Sequence, residues 1–264
     1  MPPPDSLILF FRILGLVASV ALFVRLARLD LIRKYRIFSA YLIFASIRTA
    51  AGFPFPSNSS AYFYLWRATE PIYWAFYLLL VGEVYSLVFQ GYVGIRSLSR
   101  WALMAGVVLA LLVSGVTIMP LFQERMPLSQ VLFYYLRIER ALASSLLLFL
   151  LLILGVLAWF PISLTRNILI HCALYSAYFL SHVAGILVLA ITGSQITDKV
   201  SVFLMAVSTA CIFGWLLLLS RKGEEQSRVV AIGHDAEQER RLIEQLSSFN
   251  LTLQRAAKSR PPVT

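Results

Sequence analysis

Six ionisable residues stand inside long apolar runs of this sequence: Arg67, Glu70, Arg137, Glu139, Arg140 and His182. A charge at mid-membrane depth costs roughly 3 kcal/mol even on a lenient insertion scale, so such residues persist where they face one another or enclosed water. Their spacing suits an organised interior. Phe63, Arg67, Glu70, Trp74 and Tyr77 fall on one helical stripe, Tyr134, Arg137, Arg140 and Ser144 on a second, and Asn167, His171, Tyr175, Tyr178 and His182 on a third. Arg67 and Glu70 are an i, i+3 pair, and Pro71 frees a backbone carbonyl one turn back, near Arg67. Together with Arg12 and Arg48, five arginines stand against two carboxylates, an excess of about three positive charges. Arginine holds carboxylates bidentately. The chemistry expected is therefore binding of a small anion, with Arg67, Glu70, Trp74, Tyr77, Arg137, Arg140 and His182 as candidate ligand-binding residues. Arg12 and Arg48 lie a turn or two from the membrane boundary, and snorkelling to the headgroups accounts for them equally well. Glu83, His171 and Tyr175 form a second, inner polar candidate, with a Glu83–His171 contact as its simplest form.

Other chemistries find no residues. A retinal Schiff base needs a lysine in a helix core, and Lys34, Lys199, Lys222 and Lys258 all fall outside the apolar runs. A catalytic zinc takes three protein ligands. His171 and His182 stand eleven residues apart on one segment, about 16 Å along its axis, and cannot share a metal. Cys172 and Cys211 lie in apolar segments outside any metal-spaced motif. No hydrolase, metalloprotease or nucleotide-binding signature occurs, so neither catalysis nor a cofactor is expected. Nucleic-acid binding would need a basic face on a soluble domain, and the +10 net charge sits mostly in short loops instead.

The elements that must position these residues are membrane helices. Apolar residues make up 59% of the chain, above the 45–50% usual in soluble domains. Seven apolar segments approach the length of about 20 residues that crosses a bilayer: Ser6–Val24, Ile37–Phe53, Ala61–Phe89, Trp101–Leu121, Gln130–Phe160, Asn167–Ile191 and Ser201–Ser220. The first connection carries Arg25, Arg28, Arg33, Lys34 and Arg36, whereas the second, "GFPFPSNSSA", carries no charge. Basic residues continue to favour alternate loops, so the positive-inside rule expects an outer N-terminus and a cytoplasmic C-terminus. "MPPPDS" lacks the basic n-region of a signal peptide, and the first segment is expected to stay as a helix. The fold class is thus an all-α seven-helix membrane bundle over residues 1–222, with a cytoplasmic tail over 223–264. The tail holds one amphipathic helix at about 235–258, where Leu242, Leu246, Phe249 and Leu253 make a short apolar seam. That seam suits the membrane surface, a cytoplasmic partner or a homodimer.

The layout of roughly the first 220 residues resembles the seven-helix sensor modules that precede histidine kinase and cyclase domains in bacterial receptors. The resemblance implies a receptor-like module in a bacterial inner membrane. The tail is too short for such an output domain, so output would pass through a partner protein. A small-solute transporter or channel, and a scaffold subunit whose charges only lock helices together, are the alternatives the same residues allow.

Overall fold

Apolar runs of this length satisfy their backbone groups internally by coiling, and the computed structural model is almost entirely helical. It describes residues 4–55, 59–90, 130–159, 163–192, 197–225 and 227–229, together with isolated positions between 241 and 255. The helices are α1 (Pro4–Arg28), α2 (Arg36–Gly52), α3 (Ser60–Val88), α4 (Gln130–Trp159), α5 (Arg166–Thr192), α6 (Thr197–Leu218) and the short α7 (Lys222–Glu225). Two three-residue strands, β1 (Ser163–Thr165) and β2 (Ser227–Val229), pair antiparallel. Among the described residues, five helices are long and apolar enough to cross a membrane: α1, α3, α4, α5 and α6. This is a multi-pass helical membrane protein. α2 is shorter, at 17 residues. The expected segment Trp101–Leu121 lies outside the described residues, as does most of the tail helix; Arg241, Glu244, Gln245, Ser247, Ser248, Leu251, Thr252 and Arg255 from it are helical and exposed.

α1 packs between α2 and α6, α5 between α4 and α6, and α3 closes the ring by touching α2, α4 and α5. Burial follows helical periodicity. Leu146, Leu150, Ile153 and Leu157 form a continuous buried seam on α4, while Leu148, Leu151 and Leu152 face outward. Val17 and Val20 likewise turn out from α1, where Leu22 and Leu26 turn in. Large apolar side chains on the outer surface are what hydrocarbon surroundings favour.

The helix ends are specific. α1 stops in a Schellman turn: Asp30 is left-handed at φ 58°, Leu31 N–H donates to the Leu26 carbonyl at 3.0 Å, and Asp30 N–H to that of Ala27 at 3.2 Å. Ser59 caps α3 by accepting from the Tyr62 N–H at 3.1 Å. α2 has no side-chain cap of its own. Glu83 of α3 supplies one, accepting the free N–H groups of Ile37 at 2.8 Å and Phe38 at 3.1 Å. α3 runs unbroken through Pro71. The carbonyl that this proline frees, that of Arg67, accepts the Tyr135 hydroxyl at 3.2 Å.

Candidate functional site

The sequence stripes meet in two polar regions, one at each end of the bundle, with an aromatic layer between them. At the end formed by the start of α1 and the α2–α3 connection lies a cavity of about 250 Å³. α1 contributes Arg12, Gly15, Leu16 and Ser19 to its wall; α2 contributes Tyr41, Ala45, Arg48, Thr49 and Gly52. Tyr62, Leu65, Trp66 and Tyr73 come from α3, and Met205, Ser208, Thr209 and Ile212 from α6. Each set recurs every three or four residues, so each is one face of its helix. Gly15 faces α6 closely: a Cβ there would stand 3.5 Å from the Thr209 hydroxyl, at ordinary contact distance.

Two guanidiniums line this space, and each is held. Arg48 donates to the Glu70 carboxylate at 2.7 Å and lies over the Tyr73 ring, 4.3 Å from its centroid. Arg12 donates to the Tyr62 hydroxyl at 2.6 Å and stands 5.0 Å from that ring's centre. A smaller crevice of about 20 Å³ shares Tyr41, Ser208 and Ile212 with the cavity and adds Tyr77, Tyr175, Tyr178 and Trp215. In it the Tyr77 and Tyr178 hydroxyls share a hydrogen bond of 2.7 Å.

The candidate ligand-binding set is divided by this arrangement. Glu70 is buried, with its carboxylate on Arg48 rather than on Arg67 one turn away. Arg67 is exposed. Trp74 packs on Tyr135 at 5.2 Å between ring centres. His182 lies 3.5 Å from the Glu139 carboxylate and stacks near Tyr178, so Glu139 is tied to α5. Arg140 is half-buried, and the side chain of Arg137 lies outside the described residues. None of Arg67, Glu70, Trp74, Arg140 or His182 lines the cavity, and of that set only Tyr77 reaches the crevice. Arg12 and Arg48 are the residues that line the cavity. Their depth suggests snorkelling; the small and polar residues sharing their faces were the signal pointing inward.

Below the crevice the interior turns aromatic. His171, 1% exposed, is caged by Tyr35 at 4.5 Å, Phe38 at 4.9 Å, Tyr175 at 5.7 Å and Trp215 at 6.0 Å between ring centres. Neither ring nitrogen has a hydrogen-bond partner among the described residues. The expected Glu83–His171 contact is not formed, because both Glu83 oxygens are taken by the start of α2. Depth alone had paired them, and a helix end with open N–H groups binds a carboxylate more directly.

At the basic end a polar knot closes the bundle. Glu224 accepts from the Lys34 ammonium, the Tyr35 hydroxyl at 2.6 Å and the Asn167 amide at 2.7 Å. Asn167 also donates to the Ser220 carbonyl at 2.8 Å, and Arg25 donates to that of Leu219 at 3.0 Å. The first tail residues are therefore packed on the bundle, continued by the β1–β2 pairing. Burial pushes the Glu224 carboxyl up, but the donors Lys34, Tyr35 and Asn167 outweigh it and leave the group below the ordinary carboxylate value. Burial, reinforced by Glu224, pushes the Tyr35 phenol well above the ordinary tyrosine value, so it stays a donor. A depressed carboxylate contributes stability above its unfolded pKa of about 4.3 and loses it as pH falls through the folded value. Thermal stability in detergent should therefore drop between about pH 5 and the lower folded value of Glu224. Glu224→Gln should be less stable at pH 7 and lack this component of the acid slope; an identical slope in the variant would remove Glu224 as its source.

Compared with known proteins, the chain matches no family model, no curated protein and no solved structure.

Proposed function

We propose that the chain is a non-catalytic, receptor-like membrane module of seven spans, N-terminus outside and C-terminus cytoplasmic, whose Arg12/Arg48 cavity receives a small anion from the outer side. One observation carries the reading: two arginines, of which only Arg48 is paired with a carboxylate, line a space of about 250 Å³ inside an apolar bundle. Charges retained only to lock helices would leave no such space. α6 supplies the link to the other end. Its Ser208, Thr209 and Ile212 line the cavity, while Trp215 and, just past its end, Leu219 lead into the knot that holds Glu224. A ligand that moves α6 against α1 thus acts on the tail, and through it on a cytoplasmic partner in a bacterial inner membrane.

A transporter is the second reading, favoured by the crevice that extends the cavity toward the middle of the bundle. Tyr175 and Trp215 wall that crevice, and the buried Phe38 and His171 pack against them, which supports the receptor. The test uses the full chain in nanodiscs, titrated with small organic anions, while trypsin reads cleavage after Arg221 and Lys222. Binding that changes tail cleavage, and that weakens at least tenfold in Arg12→Gln, is the expected result. Counterflow of the bound anion in proteoliposomes would replace the receptor with a transporter.

A further inference from the structure

We propose that the cavity selects monoanions: a monocarboxylate of about ten non-hydrogen atoms in all, with an apolar body and its carboxylate on Arg12. This rests on the ligand-site reading above. The charge of the ligand follows from the pairing within the wall. The Arg48 guanidinium is already engaged by the Glu70 carboxylate at 2.7 Å and covered by Tyr73. Arg12 touches only neutral groups among the described residues, the hydroxyl and ring of Tyr62. Among the described groups that line the cavity or bond to its lining, two guanidiniums less one carboxylate leave a single positive charge; Glu139 faces His182 instead. A second negative charge on the ligand would be desolvated without a counter-ion, and burial of an unpaired charge outweighs what its contacts return.

Size and polarity fix the body. An apolar cavity of 150 Å³ holds benzene, so about 250 Å³ holds about ten non-hydrogen atoms. Phe11, Leu16, Leu65, Trp66, Met205 and Ile212 give it greasy walls, which a bare phosphate or sulfate would leave uncovered. The hydroxyls of Ser19, Ser208 and Thr209 stand on the α1 and α6 faces and admit a polar substituent on the body. The same head chemistry belongs to a free aryl acid and to the head group of a singly charged lipid.

Phenylacetate and adipate, both of about ten non-hydrogen atoms, separate one charge from two at matched size. Calorimetric titration of the full chain in phosphatidylcholine nanodiscs should show phenylacetate binding at least tenfold tighter than adipate. Arg12→Gln should abolish it, and Arg12→Lys should retain part. Glu70→Gln leaves Arg48 an acceptor but removes the negative charge, so adipate should gain at least tenfold relative to phenylacetate. Phosphatidylglycerol that competes with phenylacetate in the wild type assigns the same site to a lipid head group. If adipate binds the wild type as tightly as phenylacetate, or Glu70→Gln leaves their ratio unchanged, the monoanion rule falls while an Arg12-dependent site survives. If neither acid binds and Arg12→Gln changes nothing, the ligand site falls with it.

Discussion

Glu70→Ala is expected to lower the unfolding free energy of the detergent-solubilised protein by about 3–5 kcal/mol, the range for breaking a buried ion pair from one side. Glu70 is 6% exposed and its partner Arg48 sits in the protein interior against Tyr73. Removing the carboxylate leaves the Arg48 guanidinium, whose side chain is only 18% exposed, without its counter-charge, and this outweighs the packing lost with the side chain itself. Replacing both members, as Arg48→Met with Glu70→Leu, should recover most of the loss, because two apolar groups leave nothing stranded. The double variant is also informative about ligand binding. A stable fold that still binds phenylacetate through Arg12 would assign the pair to structure and charge balance. Equilibrium unfolding in mixed detergents reads all three chains, and a loss below about 1 kcal/mol for Glu70→Ala would mean that the pair is solvated.

Gly223→Val should release the first tail residues while leaving the bundle intact. A Cβ at Gly223 would stand inside van der Waals contact with the Asn167 Oδ1, 3.0 Å from its Cγ and 3.2 Å from the Ser220 hydroxyl. Asn167 has nowhere to retreat: it is fully buried and holds both the Ser220 carbonyl and Glu224. Relief therefore comes from undocking of residues 221–229, at the loss of the Glu224 hydrogen bonds and the β1–β2 pairing. We expect about 2–3 kcal/mol, since each lost bond contributes about 1 kcal/mol net. Tryptic cleavage after Lys222 and Arg228 should then rise at least thirtyfold with little change in helical circular dichroism. An unchanged cleavage rate would mean that the knot does not hold the tail.

How far the sequence reaches depends on which coordinate of a helix is asked for. Depth along the axis is legible, because apolar length and loop charge set it; the ionisable residues do collect at the ends that Arg12, Arg48 and Glu70, or Lys34 and Glu83, imply. Azimuth between helices is not legible in the same way. Glu70 has Arg67 within reach on its own helix, yet its partner is Arg48, because the helix packed beside α3 presents a guanidinium at the same level. The face Arg12–Gly15–Ser19 on α1 and the face Tyr41–Ala45–Arg48–Gly52 on α2 carried the missing information. A small or hydroxylated residue one turn from an arginine marks an inward face; a snorkelling arginine needs no such neighbours. The knot was the least legible part. Lys34 and Tyr35 lie in a connection and Glu224 in the four-residue α7, where no periodicity constrains direction, and Glu224 is about 190 positions from the other two in the chain.

α3 carries two carboxylates, and they serve opposite ends of α2: Glu83 closes its open N–H groups, and Glu70 neutralises Arg48 near its far end. Alone, α2 would be uncapped at one end and would carry an unpaired guanidinium near the other. Both defects disappear once its successor in the chain lies antiparallel beside it. The two helices thus form one hairpin in which α3 completes both ends of α2.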